Sequence, residues 1–276
     1  MILNAIFILL SLGGSAVTWL TNQEMHPAWI LALIPAFYVG IVVIYFAALF
    51  IASLLMPRRA PKRISPVCRF FIWFTMEWLM LIMGIRIKLT GAEIIPDCPC
   101  VLVSNHRSDF DPMTVLAVLK KRKLAYISKE SNFKIPIVGP FIRHAGFVAI
   151  DRGNGVRAVR TLQKAAQSMN SEGIDVGIYP EGTRSKTGKL LRFKTGAAYL
   201  AQEAKAPIVI MTTQGTEKIS KRFLFSPVRV QLDVIEVIDR ERVLNTPQNE
   251  LTDYIRSVVA AHLPPEVSED GTAAQE

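Results

Sequence analysis

The chain has 276 residues, half of them hydrophobic and only 20% charged, yet its net charge is +9. Hydrophobicity at that level excludes a disordered chain, and three cysteines exclude a disulfide scaffold. A sequence both apolar and basic belongs to a membrane protein or a nucleic-acid binder, and the distribution of its charge separates the two.

Residues 1–56 contain no Lys, Arg or Asp, and Glu24 is their one formal charge. Residues 57–276 hold all 32 basic side chains and every acidic one but Glu24, a net +10. Met1–Leu20 and Ala28–Met56 are uncharged apolar runs, the second 29 residues long. A bilayer core of about 30 Å takes roughly 20 helical residues, so each is expected to span it. Pro35 kinks the second or marks its start. Thr21–Pro27, with Glu24 and His26, is the turn between them. A cleaved signal peptide would need a basic start and a small-residue cleavage site, and Met1–Leu20 offers neither cleanly. Pro57-Arg58-Arg59-Ala60-Pro61-Lys62-Arg63 follows. Four cations at a helix exit place that exit, and residues 57–276, on the cytoplasmic side.

Arg69–Ile85 is apolar and aromatic, with Phe70, Phe71, Trp73, Phe74 and Trp78 beside Arg69, Glu77 and Arg86. It reads as a helix in the headgroup zone or as a core helix of the next domain. From Ile85 the pattern becomes short strands alternating with helices. Strands are expected at Cys100–Ser104, Leu124–Ser128, Gly146–Ile150, Ile174–Tyr179, Pro207–Thr212 and Val228–Val237. Helices are expected from Asp111 to about Leu119, with Asp111 as cap and Pro112 in first place, and at Val156–Met169, Phe193–Ala204 and Asn249–His262. The sequence therefore implies four parts: a helical hairpin over 1–63, an amphipathic helix within 64–88, an α/β domain over 89–263, and a disordered acidic tail over 264–276. The domain is expected to have a central sheet, mostly parallel or mixed, flanked by helices.

Three stretches carry chemistry. The first is Ser104-Asn105-His106-Arg107-Ser108-Asp109-Phe110-Asp111. His106 directly follows a buried strand, and the carboxyl ends of strands are where α/β sheets place ligands. A carboxylate on its Nδ1 would fix the tautomer and raise the basicity of Nε2, making a base for a hydroxyl or water. Asp111 and Asp109 both qualify as that partner, and Asp111 is also a good helix cap. The second is Tyr179-Pro180-Glu181-Gly182-Thr183-Arg184-Ser185, with Lys186, Lys189, Arg192 and Lys194 close behind. Arg suits bidentate phosphate contact, Gly lets backbone approach closely, and Lys194 adds a further cation. The third is Phe147-Val148-Ala149-Ile150-Asp151-Arg152, a strand end presenting an acid and a base. His144 is expected in a loop. Cys98 and Cys100, with Cys68 distant, are too few for a zinc site and read as reduced thiols. Metal and nucleotide fingerprints are not found.

Taken in order, Asn-His-x-x-x-x-Asp, Phe-x-x-Asp-Arg and aromatic-Pro-Glu-Gly-Thr-Arg-Ser resemble the glycerolipid acyltransferase superfamily. Within it the likeness is strongest to the 1-acyl-glycerol-3-phosphate (lysophosphatidate) acyltransferases. The resemblance covers roughly residues 85–240. It implies His106 as general base and Asp111, rather than Asp109, as its orienting partner. It also implies that Glu181, Gly182, Thr183 and Arg184 bind glycerol phosphate and that Arg152 helps hold the phosphate. The fourth block of that family is matched only partly by Ala206-Pro207-Ile208-Val209-Ile210-Met211, where the second proline is missing. That block is associated with the acyl donor, so the donor, acyl-CoA or acyl carrier protein, stays open.

The reaction implied moves an acyl group from a thioester to a lysophospholipid hydroxyl at the inner membrane face, with no cofactor beyond the donor. Anionic membrane lipids are expected partners of the basic surface. Other lysolipids, such as lyso-ornithine lipid, are alternative acceptors. A thioester or lipid hydrolase using the same pair is the enzymatic rival. A non-catalytic adaptor is a further alternative. A nucleic-acid role is disfavoured by the lack of a recognised motif.

Overall fold

The computed structural model describes residues 2–22, 24–61, 63–151, 153–185, 187–221 and 226–268. Helices α1 (Ile2–Thr21) and α2 (Ile30–Leu55) pack on each other and are both long and apolar enough to cross a membrane. Leu9, Leu20, Leu31, Ile44 and Leu55 stand exposed on their outer surfaces. Helix α3 (Pro66–Ile82) opens on Ser65, whose side chain accepts from the Cys68 N–H, with proline at the first position. It is the joint of the molecule. The Trp78 Nε1–H donates to the Tyr38 hydroxyl at 3.2 Å, and Thr75 and Tyr45 share a 2.7 Å bond. Phe74 and Trp78 pack with Leu3 and Phe7 of α1, while Cys68 packs with Leu49 of α2 and Phe141 and Ala145 of the domain. The expected helix ends early, at Ile82, and Gly84 turns the chain with φ +64°.

Ile85–Thr90 then forms strand β1, which the sequence reading did not anticipate. There follow β2 (Val101–Val103), α4 (Phe110–Val118), β3 (Leu124–Lys129), α5 (Val138–His144) and β4 (Val148–Ile150). Next come α6 (Gly155–Glu172), β5 (Asp175–Ile178), α7 (Gly196–Ala204), β6 (Ile208–Gln214) and β7 (Val228–Ile238). Helices α8 (Arg240–Asn245), α9 (Gln248–Ala261) and α10 (Pro265–Ser268) complete the chain.

One mixed sheet results, in the order β1-β7-β6-β2-β5-β3-β4. Every pairing is parallel except the antiparallel β6–β7. Helices cover both faces, which explains why β2 is buried at every position. One core gathers Met169, Leu200, Ile208 and Ile255; the other gathers Met80, Cys100, Val209 and Leu232.

Several expectations need correction. His144 lies in α5 rather than a loop, with Nδ1 bonded to the Pro140 carbonyl. Helix α7 begins at Gly196 because Phe193 is spent as a core side chain in the preceding loop. Within the stretch expected to be tail, α10 forms because Val267 is buried in the core and bonds Leu190 through its carbonyl. Residues 269–276 of that tail lie outside the described residues, as do Lys62 and Lys186.

Candidate active site

The carboxyl ends of the parallel strands β6, β2 and β5 lie side by side, and each feeds a loop into the same space. After β2, Asn105 is buried and clips this loop to β6. Its amide donates to the Thr213 carbonyl, and its Oδ1 accepts the Thr213 N–H at 2.8 Å. The next residue is His106, whose Nδ1 lies 2.8 Å from Asp111 Oδ2. Asp111 is completely buried. Oδ2 also accepts the N–H groups of Arg107 at 2.7 Å and Ser108 at 2.9 Å, while Oδ1 accepts the Thr216 hydroxyl. A carboxylate so placed holds the imidazole proton on Nδ1 and leaves Nε2 with its lone pair. Among the described residues Nε2 has no hydrogen bond.

Asp111 is therefore not the helix cap the sequence suggested. Helix α4 begins one residue earlier, at Phe110, and the Asp111 side chain turns back into the loop. Asp109 points elsewhere, accepting from Arg184 at 2.6 Å in an exposed ion pair.

The loop after β5 clasps the His106 backbone from both sides. Glu181 Oε1 accepts the His106 N–H at 2.6 Å, and the His106 carbonyl accepts the Ser185 N–H at 3.1 Å. Glu181 Oε2 accepts the Leu191 N–H. Burial pushes the Glu181 carboxyl up to about 7, against the opposing pull of those two N–H bonds. Gly182 makes this turn possible with φ +70°, and a Cβ there would crowd the Lys194 side chain at 3.3 Å.

The residues expected to act together on the phosphate therefore separate. Glu181 faces inward and is 4% exposed, so it holds backbone rather than ligand. Thr183 and Lys194 are exposed, and Lys194 lies across Gly182. Arg184 lines a cleft of about 320 Å³ whose other walls include Arg107, Ser108, Ser185, Glu217 and Lys221. Arg152 lies outside the described residues; its neighbour Asp151 pairs with Arg157 at 3.3 Å.

Arg107 is the residue that sequence reasoning passed over. Its guanidinium is 3.7 Å from Glu217, and its Nε is buried with no hydrogen-bond partner among the described residues. The available signal was its place next to His106, since a cation there must share the space served by the imidazole.

The site is therefore a His–Asp pair beside a basic cleft, at the carboxyl ends of the central strands of a mixed α/β sheet. Residues 86–213 match the Acyltransferase family model. The chain is similar to 1-acyl-sn-glycerol-3-phosphate acyltransferase alpha of Mus musculus, 32% identical over 63% of this chain and 62% of that one. It is 34% identical to the beta form of Homo sapiens over 56% of each. In both cases it covers less than two thirds of the relative's length. Among solved structures it resembles the 1-acyl-sn-glycerophosphate (LPA) acyltransferase PlsC of Thermotoga maritima. That match has a TM-score of 0.59 and 28% identity, and it covers 78% of this chain and 86% of that one.

Proposed function

We propose that the chain is a membrane-bound acyltransferase that moves a fatty acyl group from a thioester to the free sn-2 hydroxyl of lysophosphatidate, giving phosphatidate. The observation that carries this reading is the 2.8 Å contact between His106 and a wholly buried Asp111 beside a basic cleft. The names of the relatives support the choice of acceptor.

Thioesters are already activated, so the reaction needs a base and no enzyme nucleophile. Nε2 of His106 takes the hydroxyl proton as the oxygen bonds to the thioester carbonyl carbon. Collapse of the tetrahedral adduct breaks the C–S bond, and the imidazolium returns its proton to the departing thiolate. Asp111 steadies the imidazolium meanwhile. Arg184, Arg107 and Lys221 hold the acceptor phosphate so that its hydroxyl meets Nε2. Glu181 serves by fixing the His106 backbone. The donor is acyl-CoA or acyl carrier protein, and no cofactor is required beyond it. The apolar hairpin keeps the domain at the inner leaflet, where acceptor and product reside.

The test uses the full chain in lipid nanodiscs with labelled acyl-CoA or acyl carrier protein and a panel of lysolipids, products being read by mass. Lysophosphatidate should be converted fastest. His106→Ala should lower turnover by about 10²–10⁴-fold while the protein stays folded and membrane-bound. Near-normal transfer by that variant would sink the base assignment. Thioester loss independent of any lysolipid would make the protein a hydrolase. Preference for a lysolipid without a phosphate would overturn the acceptor.

A further inference from the structure

Beneath the His106 imidazole lies an aromatic column that the proposed reaction leaves unused. The Tyr179 ring stacks on the imidazole, with centroids 4.2 Å apart and planes 14° from parallel. Tyr126 stacks on Tyr179 in turn, at 5.6 Å and 7°. The column follows from strand geometry. Tyr126 on β3 sits opposite Gly177 on β5, and Gly177 and Tyr179 are two residues apart, on one face of the sheet. A Cβ on Gly177 would lie 2.2 Å from the Tyr126 ring, so the glycine is what gives the ring its place.

The Tyr179 hydroxyl is buried beside the Tyr126 phenol, and what Tyr179 turns toward His106 is its ring face. The contact with Asp111 anchors one nitrogen of His106 but leaves the ring plane free to swing about that anchor. A stacked face removes this freedom. The π face of a tyrosine also favours a cation above it, and the imidazole becomes a cation once it accepts a proton. We infer that Tyr179 is a positioning residue for His106, fixing the tilt of the imidazole and steadying its protonated form. This inference rests on the reading of His106 as the general base.

The ionisable groups around His106 are Asp111 from α4, Arg107 from its own loop, Glu181 from the loop after β5, and the two tyrosines. Burial pushes the phenols of Tyr126 and Tyr179 upward, so both rings remain neutral. A base must be unprotonated to act, so protonating the imidazole stops the reaction and gives the pH profile an acid limb. Loss of the aromatic face destabilises the imidazolium and moves that acid limb to lower pH.

The experiment compares the wild type with Tyr179→Phe, Tyr179→Leu and His106→Ala, as full chains in nanodiscs, using whichever thioester supports turnover. Kinetic constants and the pH dependence of kcat/KM are measured for each. Tyr179→Phe should stay within about threefold of wild type. Tyr179→Leu should lower kcat at least tenfold, change the acceptor KM by less than about threefold, and move the acid limb downward. Tyr179→Met fills the same space with a flexible chain and replaces the leucine variant if that variant does not fold. An aliphatic variant with wild-type kcat overturns the inference. So does one whose loss comes with an unmoved acid limb, and so does a phenylalanine variant as impaired as the leucine. Wild-type activity in His106→Ala would instead overturn the base assignment itself.

Discussion

At the scale of single residues, the site separates groups that touch the reactants from groups that hold them in place. Arg184 is engaged with Asp109, so under the proposed function the acceptor phosphate would have to win it from a solvent-exposed partner, which is a weak competitor. Arg184→Ala should raise the acceptor KM about tenfold to a hundredfold, the range for losing a charge-assisted hydrogen bond. The donor KM should be unaffected, and the reverse pattern in steady-state kinetics would refute the phosphate assignment. Glu181 gives a pH prediction of definite sign. Its folded titration near 7 lies above the ordinary carboxylate value of 4.5. Its contribution to stability is therefore full below about 4.5 and lost as pH rises through 7, an effect on the order of 3 kcal/mol. Glu181→Gln does not titrate, so the unfolding free energy of the wild type should fall relative to that of the variant as pH rises through that window. A difference independent of pH would show that the carboxyl is not buried as described. That His106 would pair with a nearby carboxylate was legible in the sequence from its place at a strand end, but spacing left Asp109 and Asp111 both open and only the family resemblance favoured Asp111. The inward turn of Glu181 was not legible, since residue type alone does not tell which way a side chain faces.

At the scale of elements, one charged pair ties the far end of the sheet together. Asp175, at the start of β5, is buried and bonded through both oxygens to Arg122, at 2.6 and 2.7 Å. Arg122 also donates to the Pro96 and Cys98 carbonyls, joining the loop before β2 to β5. Arg122→Ala leaves a buried carboxylate without its counter-charge, the Cys100 N–H still donating to it, and should cost about 3–5 kcal/mol, measured as a fall in thermal or denaturant stability. Arg122→Ala combined with Asp175→Asn should recover much of that loss. If the double variant is no more stable than the single, the charge is not the cause. The buried strands β2, β5 and β6 were readable as short apolar runs. Strand β1 was not, because Ile-Arg-Ile-Lys-Leu-Thr pairs with β7, far along the chain, and among the described residues with no other strand. Nor was the role of α3, whose aromatic residues suit a headgroup as well as they suit the joint where the structure uses them.

At the scale of the whole molecule, the proposed orientation can be read from the protein's own cysteines. Cys68 and Cys100 are buried and Cys98 is exposed. A membrane-impermeant maleimide should label Cys98 in inverted vesicles and spare it in right-side-out ones. Labelling in the opposite sense would put the domain on the other side of the membrane. The clustering of charge from Arg58 onward is the sequence feature that predicts this orientation, because the positive-inside preference acts on loops.

The pairing of β1 with β7 also bears on how the chain is made. The Thr90 and Asp233 side chains that meet across it are 143 residues apart. At about 5–20 residues per second, β1 waits on the order of ten seconds or more on the ribosome before its partner strand exists. Through that interval its backbone edge is bare, and the hairpin ahead of it has already left the exit tunnel. A chain released short of β7 would be tethered to the bilayer with an open strand, a form that quality-control proteases could recognise.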